Sequence, residues 1–185
     1  MAIVATGCKT VPTALPPTQT WEERRMELQQ RAVFELRGRL AVAAGEEGFN
    51  ARLRWKQEGP QSHLALDGPL GVGGVQIAAN GEALTVRNSR GEQLDEAAAR
   101  QEMAARLGFE PPIESLRYWV LGVPDPAHPA DVVLDEEQRL ARLTQQGWEI
   151  EYGKYAPTPE GWLPVRMTLK RSDVRVRLVV DAWHS

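Results

Sequence analysis

Apolar and charged side chains alternate with a period of two over much of this chain, and this pattern limits the fold to one rich in β-strands. Residues 34–42 place apolar side chains at the even positions, and residues 49–57 place them at the odd positions. Because successive side chains of a strand point to opposite faces, each segment predicts a strand with one buried face. The Gly-Glu-Glu-Gly segment at 45–48 is short enough to join the two strands as an antiparallel hairpin.

Further short apolar segments between glycine or asparagine turns predict more strands. They fall at about 62–66, 74–79, 83–88, 138–144, 148–155, 163–170 and 174–183. The last two alternate clearly, and the dipeptide Ser172-Asp173 predicts a two-residue turn between them.

Three segments change to helical periodicity, at about 21–33, 95–107 and 112–121. Thr20 and Glu23 form the sequence pattern of a capping box before the first helix, and Asp95 is the expected N-cap of the second. The third helix begins at a proline, where a missing N–H is tolerated. Residues 123–135 are rich in proline and predict a loop.

These elements predict a mainly β fold with a few α-helices. Many antiparallel strands in sequence form one large sheet, which must twist and curl. Its apolar face needs a cover, and the two helices inserted in the middle of the chain can supply one. We therefore expect an unclosed antiparallel β-barrel, or half-barrel, covered by a helical lid, with a cavity lined by inward apolar side chains.

Composition excludes several classes of function. The 22 basic and 25 acidic residues give a net charge of −3, which argues against nucleic acid as the main partner. No apolar stretch approaches the roughly 20 residues that a membrane-spanning helix needs. One cysteine and three scattered histidines offer no metal site and no nucleophile paired with a base. We expect no metal, no cofactor and no enzymatic activity.

The N-terminus resembles the end of a bacterial lipoprotein signal. Residues 1–8 form a short apolar run that ends in small residues directly before Cys8, the expected lipid-attachment residue. Only seven residues precede it, so this signal would be truncated, and an unmodified cysteine on a mobile terminus is the alternative. Residues 9–19 are rich in proline and threonine and predict a flexible tether. Residues 20–185 then form a single domain.

Short motifs along this domain resemble those of the LolB family. In order they are Trp21, Leu-Arg-Gly-Arg-Leu at 36–40, Trp-Lys-Gln at 55–57, Gly-Pro-Leu-Gly at 68–71, Leu-Arg-Tyr-Trp-Val-Leu-Gly-Val-Pro at 116–124, Gln-Gly-Trp-Glu-Ile-Glu-Tyr at 146–152, Leu163-Pro164 and Trp183. Each motif is weak alone, but the ordered set covers about residues 20–184 and is specific.

The resemblance implies a LolA/LolB-like lipoprotein localisation factor that catalyses no reaction. Such a protein is a monomer anchored by its N-terminal lipid in the outer membrane of a Gram-negative bacterium, where it faces the periplasm. It accepts acylated lipoproteins from a LolA-type periplasmic carrier and inserts them into the inner leaflet of the outer membrane. Lys9 after Cys8, in place of aspartate, is consistent with sorting to that membrane.

Two sets of residues are the expected sites. The acyl-chain cavity would be lined by Leu36, Leu40, Leu53, Trp55, Met103, Leu116, Trp119, Val165, Met167, Leu178 and Val180, for each of which ordinary core packing is the alternative. The resemblance further implies a membrane-insertion loop formed by Gly68, Pro69, Leu70 and Gly71, with Leu70 exposed at its tip. A plain hairpin turn with a leucine folded back is the alternative there.

Three other functions fit parts of the pattern. A soluble LolA-like carrier would lack the lipid on Cys8. A structural outer-membrane lipoprotein would use its sheet as an interaction surface, or bind a hydrophobic ligand without transferring it. A hydrolase would need a nucleophile and a base brought together by the fold.

Overall fold

The computed structural model describes residues 19–68, 74–81, 83–159 and 161–184, without the side chain of Arg106. In chain order the elements are α1 (Trp21–Gln29), β1 (Val33–Ala44), β2 (Glu47–Glu58), β3 (Gln61–Asp67), β4 (Val75–Asn80), β5 (Ala83–Arg87), β6 (Gln93–Asp95), α2 (Glu96–Leu107), α3 (Ile113–Trp119), β7 (Asp131–Leu134), β8 (Leu140–Gln145), β9 (Trp148–Thr158), β10 (Gly161–Arg171) and β11 (Val174–His184).

All eleven strands of the described residues belong to one antiparallel sheet, in the order β6-β5-β4-β3-β2-β1-β11-β10-β9-β8-β7. The first and last long strands, β1 and β11, pair in its middle. The free edges are β6 and β7, which do not pair with each other, so the sheet is not closed. Both mid-chain helices lie in the connection between these two edges. The predicted mainly β fold, an unclosed antiparallel barrel with a helical lid, is confirmed.

Alternation places the apolar side chains on one face of this sheet. In β2 every second residue from Ala51 to Gln57 is buried, and the residues between them are exposed. The registers continue this pattern across the strands, with Leu36 opposite Trp55 and Trp55 opposite Leu64. The inner side chains form one apolar cluster that includes residues of all three helices. The core therefore lies between the concave face of the sheet and the helices.

Turn residues set the register of the two central hairpins. Ala44 pairs with Glu47, which leaves a two-residue turn, and Gly45 in this turn has a φ of +59°. Arg171 pairs with Val174 across the predicted Ser172-Asp173 turn, where Ser172 has a φ of +51°. Both predicted hairpins are confirmed.

Helix caps follow the sequence at two of the three N-termini. The Thr20 hydroxyl accepts a hydrogen bond from the Glu23 N–H, and the Glu23 carboxylate accepts one from the Thr20 N–H, which confirms the capping box. Asp95 is the N-cap of α2, but its side chain does not cap the helix. The carboxylate accepts a hydrogen bond from Thr85 of β5 at 2.8 Å instead.

Several predicted boundaries were wrong, each because a tertiary contact overrides the local pattern. The first helix ends at Gln29 and not at residue 33, since Ala32 accepts a hydrogen bond from the Gly59 N–H and Val33 pairs with Glu58. The third helix is shorter, from Ile113 to Trp119, with a turn after it that uses Gly122 at a φ of +80°.

The predicted loop at 123–135 contains strand β7, where Val132 pairs with Leu143 of β8. Strand β6 was also absent from the prediction and pairs with β5 through Val86 and Leu94. Both strands have only three or four residues. Such short edge strands form because a neighbouring strand offers free hydrogen-bonding groups, and periodicity cannot reveal them.

Candidate functional site

An apolar cavity lies between the concave face of the sheet and the α2–α3 segment. It has a volume of about 90 Å³. Its wall consists of Leu40, Val42, Leu53, Trp55, Leu64, Leu66, Ile77, Leu107, Phe109, Pro111, Pro112, Ile113, Leu116, Val120, Trp148, Met167, Leu169, Val176 and Leu178. This wall carries no charged side chain and no hydroxyl, so an apolar ligand is the only kind that it favours.

The α2–α3 connection, residues 108–112, forms the roof of this cavity. Gly108 ends α2 with a φ of +79°, a conformation that favours glycine, and Pro112 stands at the N-cap of α3. Within this connection, the residues that line the cavity are Phe109, Pro111 and Pro112. Because Gly108 is left-handed and the two prolines lack a backbone N–H, this connection cannot continue as a regular helix.

The structure brings some of the predicted lining residues together and leaves others out. Those that line the cavity are Leu40, Leu53, Trp55, Leu116, Met167 and Leu178. Leu36, Trp119 and Val180 are buried in the surrounding core. Met103 faces a neighbouring polar cleft, and Val165 is half-buried at an irregularity in the pairing of β9 with β10.

Sequence reasoning missed the residues of the α2–α3 connection and Trp148. A Pro-Pro dipeptide before a helix was visible, but helix periodicity does not tell which side of a loop faces a cavity. For Trp148, the sequence signal was its position within the family motif at 146–152.

A polar cleft of about 700 Å³ lies beside the apolar cavity. Its charged and polar wall residues come from the lid, from the 125–128 loop, from the β8–β9 turn and from the region of the β10–β11 turn: Arg100, Glu110, Glu114, Ser115, His128, Gln146, Arg171, Ser172 and Asp173. Arg100 of α2 and Glu110 of the α2–α3 connection form an ion pair. Phe109, Pro111, Pro112, Ile113 and Trp148 line both the cleft and the cavity.

Gln145, at the end of β8, anchors the C-terminal end of α3. Its side chain is buried, and its carbonyl oxygen accepts hydrogen bonds from the Trp119 indole at 2.7 Å and from the Asp125 N–H at 3.0 Å. Its amide donates to the carbonyl oxygens of Asp125 and His128. All the hydrogen-bonding capacity of a buried amide is thereby used, which makes this end of the lid rigid.

Two tyrosines of β9 lie beside the same end of the lid, and one of them is hydrogen-bonded to it. Tyr152 donates a hydrogen bond from its hydroxyl to the carbonyl oxygen of Trp119 at 2.9 Å, and Tyr155 donates to that of Leu140 at 2.8 Å. Burial raises the pKa of both hydroxyls, so that they stay protonated donors. The lid is therefore fastened to the sheet after α3. The ion pair of Glu110 in the 108–112 connection joins it to Arg100 of α2, and so stays within the lid.

Asp125 joins Ser115 of α3 to His128. The Ser115 hydroxyl donates to one carboxylate oxygen at 2.6 Å, and the His128 ring contacts the same oxygen at 2.9 Å. Burial raises the pKa of Asp125, but hydrogen bonds from Ser115, the Ala127 N–H and His128 outweigh burial and leave that pKa below its usual value. Because the serine proton points to Asp125 and not to His128, the histidine is not placed to activate the hydroxyl as a nucleophile.

The arginines of the predicted outer faces are all exposed: Arg37, Arg39, Arg52, Arg54, Arg175 and Arg177. Arg37 lies directly opposite Arg54, and Arg39 directly opposite Arg52. Like charges in such positions repel each other, and nearby carboxylates compensate, as in the pair of Arg39 with Asp181 at 2.8 Å. This face is a solvated sheet surface.

The expected lipid-attachment and membrane-insertion residues lie mostly outside the described ranges. Cys8 lies before the first described residue, and the gap after residue 68 contains Pro69, Leu70 and Gly71. Gly68 is half-buried just after the end of β3. In the described part of the chain no helix has the length and apolar character needed to cross a bilayer.

Two solved structures share this architecture. A DUF1329 family protein from Desulfovibrio piger superposes with a TM-score of 0.59 at 7% identity, covering 89% of this chain and 90% of that chain. A LolA superfamily protein from Nitrosomonas europaea superposes with a TM-score of 0.51 at 11% identity, covering 89% of this chain and 93% of that chain. The curved sheet with its helical cover therefore places this protein in the class with a LolA-like fold.

The sequence narrows this class to one family. The profile of the family described as "Outer membrane lipoprotein LolB" matches residues 32–183. The outer-membrane lipoprotein LolB of Nitrosococcus oceani is 37% identical over 185 residues, which cover 98% of this chain and 92% of that protein. The chain belongs to the LolB family, as the motifs of the sequence indicated.

Proposed function

We propose that this protein is an outer-membrane lipoprotein receptor. It accepts acylated lipoproteins from a LolA-type periplasmic carrier and inserts them into the inner leaflet of the outer membrane. It acts as a monomer, catalyses no covalent reaction and faces the periplasm. The observation that carries this proposal is the apolar cavity under a helical cover in a chain of the LolB family.

The cavity meets the physical requirement of such a transfer. Each CH₂ group removed from water is worth roughly 0.8 kcal/mol, so fatty acyl chains cannot cross the periplasm exposed. A wall of leucine, tryptophan, valine and methionine side chains shields these chains without binding them covalently. The cargo can then leave for a bilayer, whose interior is equally apolar.

Uptake of an acyl chain requires the cover to move. The cavity of about 90 Å³ is smaller than the roughly 300–1,000 Å³ of typical ligand pockets, so the described conformation is a closed one. We place the movement at residues 108–112, because the other end of the lid is held by Gln145 and Tyr152. Displacing Phe109 and the two prolines after it would join the cavity to the polar cleft.

Attachment to the membrane and release of the cargo into it depend mainly on residues outside the described ranges. We propose that Cys8 carries the lipid anchor, that residues 9–19 act as the tether, and that residues 20–185 form the one folded domain. The loop of Gly68, Pro69, Leu70 and Gly71 would then contact the bilayer during release. Its glycine and proline content is typical of a protruding turn.

A transfer assay tests the receptor function. The full chain with Cys8→Ala is mixed with a LolA-type carrier loaded with a labelled lipoprotein, and the two proteins are separated by an affinity tag. We expect the label to move to this chain. Label that stays on the carrier at all concentrations would refute the function.

A second measurement addresses the anchor. Mass spectrometry of the wild-type protein extracted from outer membranes should show an acylated N-terminal cysteine, whereas the Cys8→Ala protein should be recovered without lipid from the periplasm. An unmodified wild-type cysteine would favour a carrier of the LolA type instead.

A further inference from the structure

Trp148 stands on the boundary between the polar cleft and the apolar cavity. Its side chain is 2% exposed and lines both spaces. A ligand that occupied the two spaces together would have an apolar part in the cavity and a polar part in the cleft. The chemical junction between these parts would then lie beside Trp148.

The indole N–H of Trp148 has no hydrogen-bond acceptor within the described part of the chain, although it is buried. Three other indoles of this protein donate a hydrogen bond. Trp55 donates to Gln57 at 3.0 Å, Trp119 donates to Gln145 at 2.7 Å, and Trp183 donates to the carbonyl oxygen of Pro164 at 3.1 Å. A buried donor without an acceptor costs free energy, and native folds rarely keep one without a reason.

Three side chains pack against the Trp148 indole, one of which is Trp119 of α3 at 6.4 Å between ring centroids. Phe109 of the α2–α3 connection packs edge-on at 5.4 Å between ring centroids, and the Arg171 guanidinium lies 5.8 Å from the centre of the indole ring. Phe109 belongs to the segment whose displacement opens the cavity. Opening would therefore expose the Trp148 indole on the side that Phe109 now covers, at the moment when an acyl chain enters.

We propose that Trp148 donates a hydrogen bond to an ester carbonyl at the root of a diacylglyceryl group. The acyl chains lie in the apolar cavity, and the glyceryl group with the attached peptide lies in the polar cleft. An ester carbonyl is an acceptor without a charge, which suits a site with an apolar wall on one side. This inference rests on the proposed receptor function and names the chemical group by which the cargo is positioned.

The same ester chemistry occurs in glycerophospholipids, so the experiment uses probes of both kinds. The full chain with Cys8→Ala is titrated with a diacylated lipopeptide whose two chains are ester-linked, and with its ether-linked analogue, which has no carbonyl. Ester-linked and ether-linked phosphatidylglycerol form the second pair. We expect the ester lipopeptide to bind about threefold to tenfold more tightly than the ether form, the effect of one hydrogen bond between neutral groups.

The variant Trp148→Phe keeps an aromatic ring but loses the donor. It should bind the ester and ether lipopeptides with equal affinity, close to that of the ether form for the parent protein. The control Trp183→Phe loses a donor that is engaged elsewhere, and it should keep the ester preference. Equal affinities in the parent, or an unchanged preference in Trp148→Phe, would overturn the proposal. An ester preference confined to phosphatidylglycerol would overturn the assignment to lipoprotein cargo.

A spectroscopic measurement keeps the test valid should Trp148→Phe fold poorly. In the ¹⁵N-labelled parent protein, the indole resonance of Trp148 should shift downfield with the ester lipopeptide and not with the ether form. Equal shifts with both probes would contradict the hydrogen bond. Failure of both lipopeptides to bind at all would instead count against the receptor function, so the two failures are distinguishable.

Discussion

A Cβ atom at position 38 would lie 2.4 Å from the carbonyl oxygen of Val179 on the neighbouring strand. Gly38 is the central residue of the Leu-Arg-Gly-Arg-Leu motif. The pairing of β1 with β11 shifts between Arg37 and Gly38, which leaves Asp181 without a paired residue. The glycine therefore lets the two central strands approach each other where the sheet is irregular.

Gly38→Ala should destabilise the protein. The clash involves backbone that cannot rotate away, so we expect a loss of about 1–3 kcal/mol in the free energy of unfolding. The matched control is Gly153→Ala, also within a strand, where the nearest atom to an added Cβ is the Arg166 Cδ at 3.6 Å. That variant should be neutral or slightly stabilised. Urea denaturation measures both, and equal effects would contradict the steric explanation.

Leu116→Trp should fill the cavity from the lid side. Leu116 is half-buried and lines the cavity, so a larger side chain can occupy that space. We expect binding of a fluorescent fatty acid to weaken by roughly tenfold or more, since overpacking costs about 1–3 kcal/mol.

The control for this variant is Leu94→Trp. Leu94 is half-buried on β6 and does not line the cavity. This variant should bind the probe like the parent protein, with both melting temperatures recorded as a check of folding. Weakened binding in Leu94→Trp alone would exclude the described cavity as the acyl site.

Leu70→Glu should separate acceptance of cargo from delivery. A carboxylate is costly to bury among acyl chains, so a loop that enters the bilayer would lose that ability. We expect normal uptake of lipoprotein from the carrier and a loss of its insertion into outer-membrane vesicles. Leu70→Met keeps an apolar side chain and should deliver cargo normally. Normal delivery by Leu70→Glu would refute the role of this loop.

Asp125→Asn should make the free energy of unfolding less dependent on pH under acid conditions. The pKa of Asp125 is lowered in the folded state, so the carboxylate stabilises the fold above its unfolded pKa of about 4 and loses this effect as the pH falls through the folded value. We expect Asp125→Asn to be less stable at pH 7 by about 1–3 kcal/mol, because hydrogen bonds to a buried charge are lost. Its stability should also fall less steeply below pH 4.

Asp181→Asn is the control for Asp125→Asn. Asp181 pairs with Arg39 on the exposed face, where an ion pair is worth about 0–1 kcal/mol. Denaturation of the three proteins from pH 7 to pH 2 measures the difference. If the stability of Asp125→Asn fell with pH as steeply as that of the wild type, other carboxylates would govern the acid transition.

Periodicity predicted most of the sheet because the cause of each long strand is local. Strands β1 and β2 alternate so regularly that their buried faces and their turn at Gly45 could be read from the residues alone. The edge strands β6 and β7 could not be, since they form only where a neighbouring strand presents free backbone groups. The site was predictable in part. Leu36 and Leu40 share a strand and a face, yet only Leu40 lines the cavity.

The sequence by itself determined the long strands, their inner faces, the capping box at Thr20 and the family of the chain. These follow from side-chain periods and from motifs that lie close together along the chain. Only the tertiary structure decided which inner residues meet the cavity, which end of the lid is fastened by Gln145, and that the Trp148 N–H has no acceptor among the described residues. Alternation tells which face a side chain occupies. Whether that side chain faces a cavity or packed core depends on contacts between residues far apart in the chain.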